Sequence, residues 1–426
     1  MRAIYTAFLY LLVPFVVLRL LWRGLRAREY WRRWPERFGF AIKPQSSPTL
    51  WIHAVSVGEA IAAFPLVSAL RERYTDLGVV ITTTTPTGAA RVRAQYGAEV
   101  TQCYLPYDLP GAVRRFLMRT RPVIAIIMET ELWPNLFHYC RKRRVPVVIA
   151  NARLSERSAR RYRRFGRLTR ATIAEVERFA AQTVNDGERL RMLGARAQQV
   201  QVTGNIKFDI ELPADLRERA ATLRACWGSE RPVWIAASTH AGEDELVLEA
   251  HRQARANHPD LVLLLVPRHP ERFERVAALC RSRGLRLARR TAEDCNRETE
   301  VYLGDTMGEL RMLIAAADIA FVGGSLVPVG GHNVLEPAAM GLPVLFGPHM
   351  FNFSEAARLL LEADAAVEVG NSDELAQALA AYLQDNARRV ADGASGLRVV
   401  ERNRGALQRH VALIGEVLNS WGTVGR

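Results

Sequence analysis

Glu59 is the first residue in the chain whose type and setting could support chemistry. It lies in the stretch WIHAVSVGEA, residues 51–60, where an apolar run ends, Gly58 permits a close backbone approach, and Glu59 opens a helical pattern. A carboxylate at such a strand-to-helix loop can take a proton from an attacking hydroxyl. A carboxylate in the first helical turn is also favoured by the helix dipole without any catalytic role. The motif therefore predicts a general base, with a simple helix-terminal charge as the alternative.

Two further glutamates follow a second apolar run, in the stretch IMETELWPN of residues 127–135. Burying a carboxylate without a partner is costly, so Glu129 at the tip of this run is predicted to belong to a site. Glu131 is the weaker candidate, because it could cap a helix or pair with the basic residues of 141–144. The pattern therefore predicts a site that contains one or two carboxylates besides that of Glu59.

A lysine, Lys207, follows a strand-like run and a glycine in the stretch VTGNIKFD, residues 202–209. A cation there could steady a leaving phosphate or a substrate carboxylate. The alternative is an ordinary solvated lysine.

Glycine-rich turns dominate the second half of the chain. They stand in the stretches GDTMGE, FVGGSL and GGHNVLE, and the stretch VPRHP, which has no glycine, precedes them. A glycine turn before a helix offers backbone N–H groups to a phosphate, Arg268 adds a permanent cation, and Glu336 could accept hydrogen bonds from ribose hydroxyls. The glycines match neither the dinucleotide fingerprint nor the phosphate loop of ATPases, so hydride transfer and ATP hydrolysis are not predicted. A structural turn is the alternative for Gly323 and Gly324, and His332 is interpreted as a core or capping residue.

The elements that must position these residues are short β-branched runs alternating with amphipathic helices. The runs cover 50–54, 79–83, 123–128, 145–150, 179–182 and 200–203, then 233–237, 261–266, 300–303, 319–322, 343–346 and 366–369. They predict two doubly wound parallel sheets, in which ligands bind beyond the carboxyl ends of the strands. The predicted fold is α/β, with two Rossmann-like αβα domains facing each other across a cleft. Their junction falls at 209–213, and 374–418 is helical by pattern.

The N-terminus predicts a membrane segment. Residues 3–18 read AIYTAFLYLLVPFVVL, close to the shortest run that can span a bilayer, and Pro14 is tolerated in such helices. A basic, tryptophan-rich collar follows, made of Arg19, Arg23, Arg26, Arg28, Arg32, Arg33 and Arg37 with Trp22, Trp31 and Trp34. Such a collar favours the cytoplasmic side and the headgroup layer. The helix either crosses the bilayer or lies in its interface.

Chain length, net charge and cysteine content limit the number of domains, the kind of partner and the cellular compartment. The 426 residues are too many for one core, and the net charge of +14 favours anionic partners: nucleic acid, an acidic membrane or phosphorylated substrates. The five cysteines are scattered singly, so no zinc site and no disulfide framework is predicted. This pattern is typical of a reducing compartment.

In their order along the chain, these motifs resemble the 3-deoxy-D-manno-octulosonic acid (Kdo) transferases of lipid A assembly. The similar blocks span essentially the whole chain: SVGE, TPTG, LPYDLP, METELWPN, NARLS, GNIKFD, PRHPERF, GDTMGEL, FVGGSLV, GGHN and GPHMFNF. The resemblance implies an inverting, metal-independent glycosyltransferase of the B fold, without a cofactor. It also implies CMP-Kdo as donor and the tetraacyl disaccharide bisphosphate precursor of lipid A, lipid IVA, as acceptor. The location would be the inner membrane, with one N-terminal anchor and the body on the cytoplasmic side.

The resemblance also assigns residues and domains. Glu59 matches the proton acceptor, and Glu129 and Lys207 match transition-state stabilisers. The CMP-contacting positions match Pro267, Arg268, Met307, Gly308, Glu309, Asn333, Val334, Leu335 and Glu336, with Val334 where proline is often found. The expected domains are an anchor and collar (1–37), an acceptor-binding domain (38–209) and a CMP-sugar-binding domain with C-terminal helices (210–426).

Two other functions are weighed against this one. Sugar-nucleotide epimerases share the architecture, but they need neither a lipid acceptor nor a membrane segment. A basic membrane- or nucleic-acid-binding module would be non-enzymatic. The body, however, carries no standard nucleic-acid motif and no aromatic stacking platform among its arginines, so nucleic acid is not predicted as a partner.

Overall fold

The computed structural model describes residues 1–26 and 28–422, without the side chain of Arg26. That side chain, which the sequence places in the collar, and residues 423–426, which it places in the second domain, lie outside the described residues. The chain forms two compact units. The first comprises residues 1–209 together with the segment that begins at Gly405, and the second comprises residues 210–404.

Each unit is built on a parallel seven-stranded sheet. In the first unit the strands are β1 (Thr49–His53), β2 (Gly78–Thr83), β3 (Thr101–Tyr104), β4 (Pro122–Met128), β5 (Val147–Ala152), β6 (Arg178–Ala181) and β7 (Val200–Val202). In the second they are β8 (Val233–Thr239), β9 (Val262–Pro267), β10 (Leu287–Arg289), β11 (Val301–Leu303), β12 (Ile319–Val322), β13 (Val344–Phe346) and β14 (Ala366–Glu368). The two predicted parallel sheets are confirmed. β3 and β10 were missed, because their sequences TQCY and LAR lack a continuous apolar run.

Helices connect the strands and cover both faces of each sheet. They are α1 (Arg2–Arg26), α2 (Val57–Arg73), α3 (Pro86–Tyr96), α4 (Pro110–Thr120), α5 (Pro134–Lys142), α6 (Glu156–Arg164), α7 (Gly166–Ile173), α8 (Val184–Met192), α9 (Leu216–Trp227), α10 (Asp244–Asn257), α11 (Phe273–Ser282), α12 (Leu310–Ala315), α13 (Leu335–Ala339), α14 (Ser354–Glu362), α15 (Ser372–Gln384), α16 (Asn386–Asn403) and α17 (Ala406–Ser420). Short 3₁₀ turns lie at Arg28–Tyr30, Trp34–Phe38, Ala197–Gln199, Ile206–Phe208 and Pro270–Arg272.

The strand order reverses once in each sheet. The first sheet has the order β3-β2-β1-β4-β5-β6-β7 and the second has β10-β11-β9-β8-β12-β13-β14. In the first sheet the chain therefore leaves β1 toward β2, whereas it leaves β4 in the opposite direction toward β5. Such a reversal opens a crevice at the carboxyl ends of the two central strands, and open parallel sheets bind ligands there. In this protein the crevices lie at the loops after β1 and β4 in the first sheet, and at those after β8 and β12 in the second.

The last helix belongs to the first unit, which corrects the expected second domain, 210–426. Val411, Ile414 and Leu418 of α17 are buried in the same core as α2 and one face of the first sheet. At the start of the helix, Asp209 accepts hydrogen bonds from the backbone N–H groups of Gly405 and Leu407. The apolar face of α17 was recognised as helical, but its pattern carries no information about which sheet it covers.

The N-terminal helix α1 is long and apolar enough to cross a membrane over its residues Arg2–Leu25. These 24 residues would extend about 36 Å, against a hydrocarbon core of about 30 Å. The first turn is tied to the first unit, since Arg2 Nη1 and Thr6 Oγ1 donate to Asn135 Oδ1 at 3.2 and 3.0 Å. The helix is consistent with membrane anchoring.

Part of the expected basic collar is instead folded into the first unit. Arg33 pairs with the buried Glu36 at 2.6 Å, and Glu36 accepts the N–H of Tyr104 at the end of β3. Arg37 is buried, donates to the carbonyl of Thr84 at 2.8 Å, and lies 4.2 Å from the Tyr104 ring centre. Arg33 and Arg37 therefore hold the segment after α1 against the sheet, and the role of 1–37 as an anchor and collar stays a prediction.

Two cysteines are paired, contrary to the expectation from their scattered positions. Cys226 at the end of α9 and Cys295 form a disulfide with their Cα atoms 5.9 Å apart, across 69 residues of sequence. The other three, Cys103, Cys140 and Cys280, are buried free thiols. Only the fold brings Cys226 and Cys295 together, so their spacing gave no signal.

Candidate active site

Glu59 lies beyond the carboxyl end of β1, at the reversal point of the first sheet. Ser56 caps α2 by accepting the N–H of Glu59 at 3.2 Å. The carboxylate folds back over the loop, where Oε2 accepts the N–H of Val55 at 2.8 Å and Oε1 accepts the Ser56 hydroxyl at 3.1 Å. Glu59 thus sits in the first helical turn and also at the sheet edge, the two positions from which its alternative interpretations start.

Burial raises the pKa of Glu59 to about 7. The hydrogen bond from Val55 lowers it, and the negative charges of Glu129 and Glu131 raise it further. Desolvation and like charges both disfavour the ionised carboxylate. A carboxyl group with a pKa near neutrality is suited to accept a proton from a hydroxyl, since it is substantially ionised and still basic.

Glu129 follows β4, the strand beside β1 at the reversal point. Its backbone adopts a left-handed conformation with φ 58° and donates its N–H to the carbonyl of Ala150 at 2.8 Å. This conformation is unfavourable for a non-glycine residue by about 1–2 kcal/mol, so the surrounding structure must impose it. Lys207 approaches from the loop after β7, with Nζ 3.9 Å from Glu129 Oε1. The structure thus places Glu129 and Lys207 as an ion pair near Glu59.

Glu131 lies in the same loop and makes no ion pair with residues 141–144 within the described residues. Arg141 pairs instead with Glu175 at 3.3 Å. Burial raises the pKa of Glu131, and the charge of Glu129 raises it further. Of its two alternatives, pairing with the basic run is therefore wrong, and capping is not seen either, because Trp133 occupies the cap position of α5.

The Lys207 loop is positioned by α17, which sequence reasoning did not connect with the site. The N–H of Ile206 donates to Asn151 Oδ1 at 3.1 Å, and the N–H of Asn151 donates to His410 Nε2 at 2.9 Å. His410 Nδ1 lies 2.7 Å from the carbonyl of Ala406 and donates to it, which fixes the tautomer. Burial lowers the pKa of His410 to about 4, so Nε2 is free to accept. No sequence signal links positions 151 and 410.

In the second unit the predicted nucleotide-binding residues follow strands of the second sheet or open a helix. Pro267 and Arg268 stand at the end of β9, Met307, Gly308 and Glu309 follow β11, and Asn333, Val334, Leu335 and Glu336 stand at the start of α13. Gly308 has φ 89° and Gly324, after β12, has φ 69°, a conformation that glycine adopts readily.

The side chains of these residues face different surroundings. Glu309 is paired with Arg290 at 2.9 Å, and Glu336 with Arg311 at 3.1 Å. The side chains of Val334 and Leu335 are fully buried, so any contact of theirs with a nucleotide would use main-chain atoms. The carboxylate of Glu336, predicted to meet a ribose, thus already has a cationic partner.

Glu243 is a further residue that the sequence did not single out. It is completely buried and accepts four backbone N–H bonds. Oε2 accepts those of His240 and Gly324 at 2.9 and 2.7 Å, and Oε1 accepts those of Ser325 and Leu326, both at 2.9 Å. The carboxylate therefore fastens the glycine turn after β12 to the loop after β8, at the reversal point of the second sheet. In sequence it looked like one of several acidic residues before a helix.

A pair of histidines lies beside this turn. The rings of His240 and His332 are stacked with centres 5.1 Å apart, and their Nε2 atoms are 2.8 Å apart, so one ring donates and the other accepts. Burial lowers the pKa of His332 to about 3, with Arg268 contributing in the same direction. His332 is thus a neutral structural partner of His240. Within the described residues, no three His, Cys, Asp or Glu side chains are grouped to hold a metal ion.

Comparison with known proteins identifies relatives over the full chain. The sequence model of the 3-deoxy-D-manno-octulosonic-acid transferase (kdotransferase) family matches residues 32–210. The chain is 44% identical to the 3-deoxy-D-manno-octulosonic acid transferase of Haemophilus influenzae over 97% of this chain and 98% of that protein. It is 40% identical to the protein of the same name from Bordetella pertussis over 99% of each.

Among solved structures, a glycosyltransferase from Rickettsia africae superposes with a TM-score of 0.55, covering 88% of this chain and 99% of that one. At 13% identity this likeness concerns the fold alone. It confirms the predicted glycosyltransferase-B fold class.

Glu243→Gln should loosen the loop that holds the glycine turn. The amide can accept fewer of the four N–H groups, and each buried group left unsatisfied costs about 1–3 kcal/mol. We expect a clear loss of stability of the second unit, measured by denaturant unfolding, with faster hydrogen exchange at Gly324 and Ser325. Glu230→Gln, at an exposed position of the second unit, is the matched control, because it makes the same chemical change at the surface. Equal stability of the two variants would contradict the role of Glu243.

Proposed function

Because the chain belongs to the 3-deoxy-D-manno-octulosonic acid (Kdo) transferase family of lipopolysaccharide biosynthesis, we propose that it transfers Kdo from CMP-Kdo to lipid IVA with inversion. The observation that carries the proposal is Glu59, a half-buried carboxyl group at the reversal point of the first sheet whose pKa is about 7. The Glu129–Lys207 ion pair beside it supplies fixed charge.

In the proposed reaction, Glu59 takes the proton from the attacking hydroxyl of the acceptor. The hydroxyl oxygen attacks the anomeric carbon on the side opposite the phosphate, so the configuration inverts. The bond from the anomeric carbon to the phosphate oxygen breaks, and CMP leaves with the electron pair. Arg268 and the main-chain N–H groups of the turn after β11 would offset the negative charge that grows on CMP.

Glu129 and Lys207 are proposed as stabilisers of the transition state. A carboxylate held in a fixed conformation can favour positive charge at the anomeric carbon, and the lysine can favour the departing phosphate. Their ion pair fixes both side chains before substrate arrives, so little reorganisation is needed. We propose that the reaction uses no metal and no cofactor, because these groups supply both the base and the charge stabilisation.

The proposed location is the inner membrane, with α1 as the anchor and the body on the cytoplasmic side. Lipid IVA carries acyl chains that keep it in a bilayer, and α1 is long and apolar enough to reach one. CMP-Kdo carries a phosphate and a carboxylate, which suits a chain of net charge +14.

Glu59→Gln tests the proposed base. We expect turnover to fall by roughly 10²–10⁴, the usual scale for removal of a general base, with CMP binding retained in calorimetry. Mass spectrometry of lipid products after incubation with CMP-Kdo, lipid IVA and a metal chelator is the measurement. Glu72→Gln, exposed at the other end of α2, is the control and should transfer sugar like the wild type. Near-normal transfer by Glu59→Gln would remove this residue from the mechanism.

The pH dependence of transfer follows from the pKa of Glu59. Below about pH 7 the carboxyl group is protonated and cannot accept a proton, so kcat/KM should rise with pH through about 7 and level off above it. The residual activity of Glu59→Gln should lack this step. A profile that is flat between pH 5.5 and 8.5, roughly the span around that value, would be inconsistent with the assignment.

Arg268→Ala should chiefly weaken CMP binding. Loss of a charge-assisted hydrogen bond costs about 1.5–3 kcal/mol, which corresponds to roughly tenfold to a hundredfold in Kd. Calorimetric titration with CMP is the measurement, and Arg275→Ala on the exposed side of α11 is the control. Unchanged affinity in Arg268→Ala would exclude a phosphate contact.

A further inference from the structure

The strongest concentration of positive charge in the chain lies outside the proposed catalytic residues. Residues 153–170 contain eight arginines and one glutamate, and therefore carry half of the net charge of +14 in eighteen positions. This segment forms α6 and α7 in the first unit. Because like charges repel, such a density is unfavourable unless an anionic partner offsets it.

Four of these arginines share one exposed side of α6. Positions three or four residues apart lie on the same helix face, and the set Arg157, Arg160, Arg161 and Arg164, here called the arginine face, follows this spacing. Ala159 is buried on the opposite side, and Tyr162 is half-buried there. The arginine face is thus a solvent-facing surface.

The arginine face has little compensation from acidic residues. Arg160 is 3.8 Å from Glu156, and both side chains are mostly exposed, so this pair contributes little. In the part of the chain that the structure describes, no other ion pair involves the face. Phe165, between α6 and α7, is 63% exposed. Arginines beside an exposed aromatic ring are typical of surfaces that meet lipid headgroups.

The position of the arginine face relates it to both the membrane helix and the site. The first turn of α1 is bound to Asn135 at the start of α5, α5 packs against α7, and both α5 and α7 contribute to the core on one side of the first sheet. Thr130, next to Glu129, donates to the carbonyl of Arg153 just before α6. The arginine face therefore lies near the point where α1 contacts the first unit. It also lies close to the loop after β4 that carries Glu129 and Glu131, here called the acidic loop.

We propose that the arginine face is a docking surface for the phosphate headgroups of an anionic bilayer, with Phe165 entering the headgroup layer. This deepens the proposed function, on which it rests only for the location at a membrane. The occupant is a bilayer because the same unit carries α1, an apolar helix that is long enough to cross a membrane and whose candidate spanning residues are not buried in the protein. Docking holds the acidic loop after β4 close to the membrane, where a lipid acceptor resides.

The test uses the full chain reconstituted in vesicles, with Phe165→Cys labelled by an environment-sensitive fluorophore. The label goes to position 165 because the other cysteines are buried or paired. In vesicles of phosphatidylcholine with phosphatidylglycerol, we expect blue-shifted emission and quenching by lipid-attached quenchers, both reversed by high salt. In vesicles of phosphatidylcholine alone, the emission of the label should be that of a water-exposed fluorophore, without quenching by the lipid-attached quenchers.

The charge variant Arg157→Gln/Arg160→Gln/Arg161→Gln/Arg164→Gln should abolish this response. Each arginine near an anionic surface contributes about fivefold, so the ratio of docked to undocked protein should fall several hundredfold. The control variant Arg275→Gln/Arg281→Gln/Arg283→Gln/Arg402→Gln removes the same charge from exposed sites on the second unit and should behave like the wild type. Equal loss in both variants would show that only net charge matters and would overturn the proposal.

A second measurement separates the bilayer from the acceptor. In detergent micelles the charge variant should keep the wild-type KM for lipid IVA. A raised KM there, together with an unchanged label signal in the anionic vesicles, would assign the arginines to the phosphates of the acceptor and overturn the proposal. The fluorescence measurement contains no substrate, so failure of the wild type to transfer sugar would count against the proposed function without affecting the docking result.

Discussion

The reversal of strand order between β1 and β4 is the constraint on which the site of the first unit depends. Two neighbouring parallel strands there send the chain in opposite directions, so no connection covers their carboxyl ends. Glu59 follows one of these strands and Glu129 the other, which brings two carboxylates together in a half-buried place. The loss of water on burial raises the pKa of Glu59, and repulsion from the negative charge of Glu129 adds to it. The chemistry proposed for Glu59 is thus a consequence of topology.

The second sheet has the same reversal of strand order, but the carboxylate at its reversal point has different hydrogen bonds. At the corresponding point, between β8 and β12, stands Glu243, which accepts four main-chain N–H groups. Glu59 accepts one N–H and one hydroxyl, and it faces two other carboxylates. A carboxylate whose oxygens accept a full set of N–H groups is fixed in place, whereas the carboxyl group of Glu59, with few donors and like-charged neighbours, has a raised pKa. Identical side chains at equivalent topological points therefore differ in their electrostatic surroundings because of their hydrogen bonds.

The sequence predicted those parts of the fold that depend on local pattern. Continuous apolar runs predicted most strands, and the charged residues that follow these runs include Glu59, Glu129 and Arg268, which lie at strand ends in the structure. The strands β3 (TQCY) and β10 (LAR) were not predicted, because short sequences of mixed polarity have no periodicity. Long-range contacts were not predicted for another reason, since a single sequence does not show which distant parts of the chain meet. These contacts are those of Glu243, His410 and the Cys226–Cys295 pair. The family resemblance, by contrast, rested on many ordered blocks and is confirmed over the full length.

The first unit is assembled from both ends of the chain, and this has a consequence for the Lys207 loop. Asn151 has a left-handed backbone, φ 52°, and it positions Ile206 through its side chain while its own N–H is satisfied by His410 of α17. Without α17, that buried N–H would lack its partner, and apolar residues of α2 would lose the surface that covers them. Residues 1–209 therefore include Glu59, Glu129 and Lys207 but not α17, which supports the Lys207 loop. The geometry of the Lys207 loop therefore depends on the packing of α17 against the first sheet.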